Sequence, residues 1–112
     1  MRKTLIAAAL LAVAGPALAG RLVINNTSKW DVYHVYVSAT DEDEWGPDQL
    51  GDNVLHSDQE WTLTGVDCGD YDIRVVDEDG DACILRKIEV CGVRTWQLDD
   101  DELLGCQADT RG

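Results

Sequence analysis

Between Cys68 and Cys91 the chain reads CGDYDIRVVDEDGDACILRKIEVC. Tyr71, Ile73 and Val75 alternate with Asp72, Arg74 and Val76, the period of a β-strand, and Ala82–Val90 is a second apolar, β-branched run. Asp79-Gly80 lies between them, and Asp-Gly favours a two-residue type I′ hairpin, because Gly accepts positive φ without steric cost. Counting outward from that turn sets Glu78 opposite Asp81, Val76 opposite Cys83 and Cys68 opposite Cys91. The register predicts a Cys68–Cys91 disulfide and leaves Cys83 to pair with Cys106. It also sets Cys68 and Cys91 on the face of Asp70, Asp72 and Arg74. The bridge therefore either caps the sheet from outside the core or is reached through a bulge.

Outward from this hairpin, strands are expected over Arg21–Asn25, Asp31–Ser38, Gln59–Thr64 and Val93–Leu98. Asn25-Asn26-Thr27-Ser28 makes a turn after the first. Both faces of Asp31–Ser38 are apolar, which suggests a central strand. No segment has a convincing 3.6-residue period. The fold class expected is all-β: a small antiparallel β-sandwich of six to seven strands with two disulfides. Residues 20–98 form the sandwich, and residues 99–112 form an acidic tail tied back by Cys106.

Met1–Ala19 (MRKTLIAAALLAVAGPALA) has the plan of a Sec-type signal peptide, with a basic start, a short apolar run and Ala17-Leu18-Ala19 as the cleavage site. The apolar run is shorter than the roughly 18–20 residues of a membrane-spanning helix. The chain is 112 residues with a formal charge of −13. Cleavage after Ala19 removes Arg2 and Lys3, leaving 7 Lys and Arg against 22 Asp and Glu, a charge of −15 on 93 residues. Such a surface disfavours nucleic acid and anionic membranes and suits cations or basic partners. A periplasmic or secreted monomer is expected. The even cysteine count agrees with an oxidising compartment.

The loop Thr40–Asn53 (TDEDEWGPDQLGDN) is the sharpest chemical feature. Asp41, Asp43, Gly46 and Asp52 fall at positions 1, 3, 6 and 12 of a calcium-loop window. Trp45 occupies position 5, where a ligand belongs, and the flanks read as strands, so an EF-hand is not expected. Calcium accepts hard oxygens in flexible geometry, and a looser site is expected from Asp41, Asp43, Asp48 and Asp52, helped by Asp77 and Asp79 of the second acidic turn. The plain alternative is a solvated acidic surface. A further alternative is an interaction protein that binds a basic envelope partner without metal. Trp45 and Leu50 are expected to pin the loop to the body.

The tryptophans Trp30, Trp45, Trp61 and Trp96 admit a third reading, a carbohydrate-binding module. Alternation with Leu63 and Leu98 assigns Trp61 and Trp96 to the core instead. No catalytic motif is present. His56-Ser57-Asp58 holds the letters of a triad, but adjacent residues cannot converge on one point. A two-histidine zinc site requires His34 and His56 to meet. The chain therefore reads as a non-catalytic accessory module.

Tyr36–Leu55 (YVSATDEDEWGPDQLGDNVL), Cys68–Gly80 and Cys91 together resemble a family of small exported bacterial proteins of unknown function. Their shared outline is a YVS strand end, an acidic WGxDxLG loop, a YDxRV strand with an EDG turn, and a closing cysteine. The resemblance spans roughly Leu22 to Gly92. It implies export and one conserved-type bridge, and it names no activity. Cys83 and Cys106 stand outside the family's usual pair.

Overall fold

A computed structural model describes residues 19–112. The leader falls outside the described residues, apart from Ala19. Six strands and one helix follow in order: β1 (Ala19–Asn26), β2 (Val32–Ala39), β3 (Gln59–Asp67), β4 (Gly69–Asp77), β5 (Ala82–Val90), β6 (Gly92–Leu98) and α1 (Asp100–Arg111). They build two three-stranded sheets, ordered β3-β1-β6 and β2-β4-β5. Leu22 and Ile24 of the first sheet and Val35, Ile73 and Val75 of the second meet in one buried core, closed by Leu98 and Leu103. The domain is β-rich and held by two disulfides. Among the described residues no helix is long and apolar enough to cross a membrane.

Two strand pairs change sheets at a single residue. β3 passes to β4 through Cys68, and β5 passes to β6 through Cys91. These two corner residues are disulfide-bonded, with Cα atoms 4.4 Å apart. The conflict between register and face is thereby resolved, since both cysteines sit where the chain leaves one sheet for the other. β1 starts beside the same corner. A Cβ on Gly20 would lie 3.0 Å from Val90 Cγ1 and 3.1 Å from the Val90 carbonyl oxygen, so only glycine fits without displacement.

The hairpin reaches this pairing by two irregularities that cancel. Its turn is not the two-residue type I′ expected. Gly80 N–H donates to Asp77 O at 3.0 Å, Asp77 N–H donates to Asp81 O at 3.1 Å, and Gly80 takes φ +84°. The loop is thus Glu78-Asp79-Gly80, and Val75, not Val76, pairs with Cys83. Farther out, Asp72 faces both Arg86 and Lys87 in a β-bulge, with Lys87 at φ +56°. The extra residue restores the register, so that Tyr71 meets Ile88 and Gly69 meets Val90.

Three further expectations change. β2 is an edge strand, and β4 is the central one. β1 and β6 run parallel, with Leu22 beside Arg94 and Ile24 beside Trp96, so the first sheet is mixed. Residues 99–112 are not an irregular tail. Asp99 caps α1 by accepting from Glu102 N–H at 2.8 Å, three acids occupy the first turn, and Arg111 lies in the last. Leu103, Cys106 and Gln107 form its buried face, and the Cys83–Cys106 bridge fastens it to β5.

Candidate functional site: the acidic loop and the aspartate turn

Residues 40–58 join β2 to β3 and run back along the free edge of β2, and the loop is tightly held. Asp48 accepts hydrogen bonds from Val35 N–H and Leu50 N–H, each at 3.0 Å, and pairs with His34 Nδ1 at 2.7 Å. Gln49 N–H donates to Val35 O at 2.7 Å, and Leu50 and Leu55 insert into the core. Burial works to raise the Asp48 pKa, but the bonds from His34, Val35 and Leu50 outweigh it and hold the carboxyl below its ordinary range. At the far end, Val32 and Leu55 exchange backbone bonds at 2.9 Å. There Asp31 pairs with His56 Nδ1 at 3.1 Å and accepts from Ser57 N–H at 3.1 Å. The Ser57 bond, followed by His56, keeps Asp31 below the ordinary carboxylate range.

The acidic tip is mounted on the end of β2 and the start of β4. Thr40 N–H donates to Asp70 O at 3.0 Å, Glu42 N–H to Ala39 O at 2.9 Å, and Ser38 Oγ to Glu44 O at 3.0 Å. Beneath it lies Asp72, buried to 7% exposure. Its carboxylate accepts from Thr40 Oγ1 at 2.9 Å, Lys87 N–H at 3.0 Å and Arg86 at 3.0 Å. Burial pushes Asp72 up, yet these donors hold it below its usual range. Trp45, half-buried, lines a half-open cleft of about 130 Å³ together with Ser38, Asp72 and Arg86. The tip residues Asp41, Glu42, Asp43 and Glu44 all face solvent.

The expected metal ligands divide accordingly. Asp48 is engaged in holding the loop, while Asp41, Asp43 and Asp52 are exposed and join no group of three potential ligands among the described residues. Asp77 and Asp79 do come together, with Asp81, within 4.8 Å. Asp77 is almost fully buried and its oxygens already accept from Asp79 N–H (2.9 Å), Asp81 N–H (3.0 Å) and Gln107 Nε2 (2.8 Å). This carboxylate shapes the turn and receives α1, so an ion there would share a carboxylate that is already hydrogen-bonded. Asp81 was absent from the expected set, although its place in the D-E-D-G-D turn makes it a natural companion of Asp77.

His34 and His56 each have their own aspartate partner, and no third ligand groups with either among the described residues. Ser57 Oγ donates to the Ser28 carbonyl, and Asp31 rather than Asp58 holds His56. Trp30, Trp61 and Trp96 pack against the core. The exposed large apolar residues among those described are Tyr33, Val93 and Leu104, while Trp30, Trp45, Trp61 and Trp96 are each partly buried.

No family model and no curated protein matches the chain. The NMR structure of a protein from Eubacterium rectale is similar, with a TM-score of 0.53 over 80% of this chain and 85% of that one. At 16% identity this likeness concerns the fold alone.

Proposed function

We propose that the chain is an exported, non-catalytic binding module whose acidic loop tip, Asp41–Glu44, docks a basic envelope partner. Export is supported by the leader-like Met1–Ala19 and by two disulfides, which suit an oxidising compartment. Cleavage after Ala19 leaves Gly20 as the first residue, inside β1.

The observation that carries the reading is the mounting of the tip. Four consecutive exposed acids stand on a segment fixed by the Thr40, Glu42, Ser38 and Asp48 hydrogen bonds. A preordered loop loses little conformational entropy on binding. Its charge steers a basic ligand over a Debye length of about 8 Å at physiological salt. Calorimetric titration with a short Lys-Gly peptide tests this. Saturable binding that weakens as salt rises supports it, and absence of binding at low salt removes it.

A second reading keeps a divalent cation, calcium first, at Asp77, Asp79 and Asp81, because these carboxylates converge. Melting curves after chelation test it. Stabilisation by Ca²⁺ but not Mg²⁺, lost in Asp79→Asn/Asp81→Asn, supports a site. Equal shifts with both ions mean charge screening.

A further inference from the structure

The edge strands of the two sheets, β3 and β6 in one and β2 and β5 in the other, are finished in different ways. β2 is covered by its own loop: Asp48 accepts from Val35 N–H at 3.0 Å, Gln49 N–H donates to Val35 O at 2.7 Å, and Val32 and Leu55 exchange backbone bonds. β5 is covered by α1, where Thr110 Oγ1 accepts from Ile84 N–H at 2.9 Å. β3 carries the exposed acids Glu60 and Asp67 and is interrupted by a bulge at Gly65, with φ +75°. Charges and bulges of this kind keep an edge from pairing with another chain. β6 has neither cover nor bulge. Gly92–Leu98 holds no acid and no proline, and its register against β1 runs without a shift.

The pairing with β1 fixes which backbone groups of β6 are free. Leu98 O accepts from Thr27 N–H at 3.0 Å, so the Leu98 carbonyl points to the β1 side. Backbone directions alternate along a strand, so Arg94 and Trp96 also bond toward β1. Val93, Thr95 and Gln97 turn their N–H and C=O groups outward, and among the described residues nothing pairs with these groups. The strand is open to solvent there: Val93 is 66% exposed, and Arg94, Thr95 and Gln97 are exposed too. Charge selects the occupant. Cleavage after Ala19 leaves 7 Lys and Arg against 22 Asp and Glu, a charge of −15, so two copies repel over most of their surface. Acid-free β6 is the open edge at which they approach with least repulsion.

We infer that β6 pairs antiparallel with β6 of a second copy, with Thr95 facing the partner's Thr95 across a two-fold axis. Thr95 is the middle one of the outward residues, so an axis there matches Val93 to the partner's Gln97 and Gln97 to the partner's Val93. Each such pair exchanges two backbone bonds, about six in all. Between them Arg94 stands beside the partner's Trp96, at the closer spacing of a non-hydrogen-bonded pair, rather than beside another arginine. A two-fold contact uses the same patch on both copies and leaves no β6 edge over, so the assembly stops at a dimer. The two β3-β1-β6 sheets then become one continuous sheet. One strand pair is small beside the roughly 1,200–2,000 Å² of stable interfaces, so the dimer depends on concentration and the monomer is its dilute form.

The test is sedimentation equilibrium of the mature, oxidised protein from about 10 µM to about 1 mM, with amide hydrogen exchange read at both ends of that range. A monomer–dimer equilibrium is expected that strengthens as NaCl rises from about 0.05 to about 0.5 M, because salt screens the repulsion between two acidic chains. The Val93, Thr95 and Gln97 amides should exchange freely in dilute solution and become protected as dimer forms. The Arg94 and Trp96 amides, bonded to β1, should stay protected throughout. Thr95→Pro removes an outward N–H that the monomer does not use, a change that edge strands accept, and should weaken dimerisation about tenfold or more. Thr95→Lys is the second variant. It sets like charges opposite each other across the axis while lowering the net negative charge, and should weaken the dimer as well. Thr62→Lys makes the same charge change at an exposed position of β3 and should leave the dimer intact. The inference is overturned if the protein stays monomeric at the highest concentration and salt, or if a dimer forms while the three outward amides exchange unchanged. It is equally overturned if Thr95→Lys dimerises as well as the wild-type chain. Mass growing beyond a dimer, with protection gained in β3, would mean head-to-tail pairing of β6 with β3 and would also overturn it.

Discussion

Cys68 and Cys91 are the two residues at which the chain turns from one sheet into the other, and they are bonded to each other. The bridge therefore joins two corners and holds the sheets at a fixed relation. Cys83–Cys106 spans an equal 23 residues but fastens a helix to a strand.

Equal loop lengths give equal chain-entropy contributions, about 3–4 kcal/mol each. The structural consequences should nevertheless differ. Cys83→Ala/Cys106→Ala should raise hydrogen exchange in α1 while the sheet amides stay protected. Cys68→Ala/Cys91→Ala should raise exchange across both sheets. Native-state exchange distinguishes these patterns, and identical profiles for the two variants would contradict the corner account.

Asp72 holds the bulge that sets the hairpin register. Asp72→Ala leaves Lys87 N–H and Arg86 without their acceptor and should cost about 2–3 kcal/mol in denaturant unfolding. Lys87→Gly relieves a positive φ and should be neutral or stabilising, by up to about 1 kcal/mol. If Lys87→Gly destabilised as much as Asp72→Ala, the backbone strain assigned to Lys87 would be wrong.

Asp48 titrates below its ordinary range in the folded chain. A depressed folded pKa adds stability that is present above the unfolded value, near pH 4, and is lost as pH falls through the folded value. The stability gap between the wild-type chain and Asp48→Asn should therefore shrink as the pH falls below about 4. Denaturant midpoints across this range measure it. A gap that widens on acidification would contradict the assignment. Taking the difference between the two chains removes most of the general charge repulsion common to both.

Much of this fold was legible because its determinants are local. Alternation located the strands, and Asn-Asn-Thr-Ser marked a turn that buried Asn26 now secures with bonds to the Trp30 and Leu55 carbonyls. The disulfide pairing was reached through a turn that was off by one and a bulge that restored the count. The turn had a readable signal, since Asp at the first position and Gly at the fourth favour type I. The bulge had none, because Lys87 is an ordinary residue in an extraordinary φ. The α1 helix also announced itself, with Asp99 three residues before Glu102. Its buried face includes Gln107, which broke the apolar pattern. The parallel pairing of β1 with β6 is non-local and has no sequence signature. The site was least legible. Composition marks aspartates as possible ligands, whereas Asp48 and Asp77 are engaged by backbone N–H groups and side chains that only the fold brings to them.

Neutralising the loop tip should abolish binding of a basic ligand without unfolding the chain. The direct measurement compares two variants of equal net charge by calorimetric titration with the Lys-Gly peptide at about 0.15 M salt. One carries Asp41→Asn, Glu42→Gln, Asp43→Asn and Glu44→Gln. The other removes four exposed acids elsewhere, with Asp58→Asn, Glu60→Gln, Glu89→Gln and Asp109→Asn. The account predicts that the first variant loses binding and the second keeps most of it. Equal weakening in both would mean that the peptide responds to total charge, and the loop would not be a docking site.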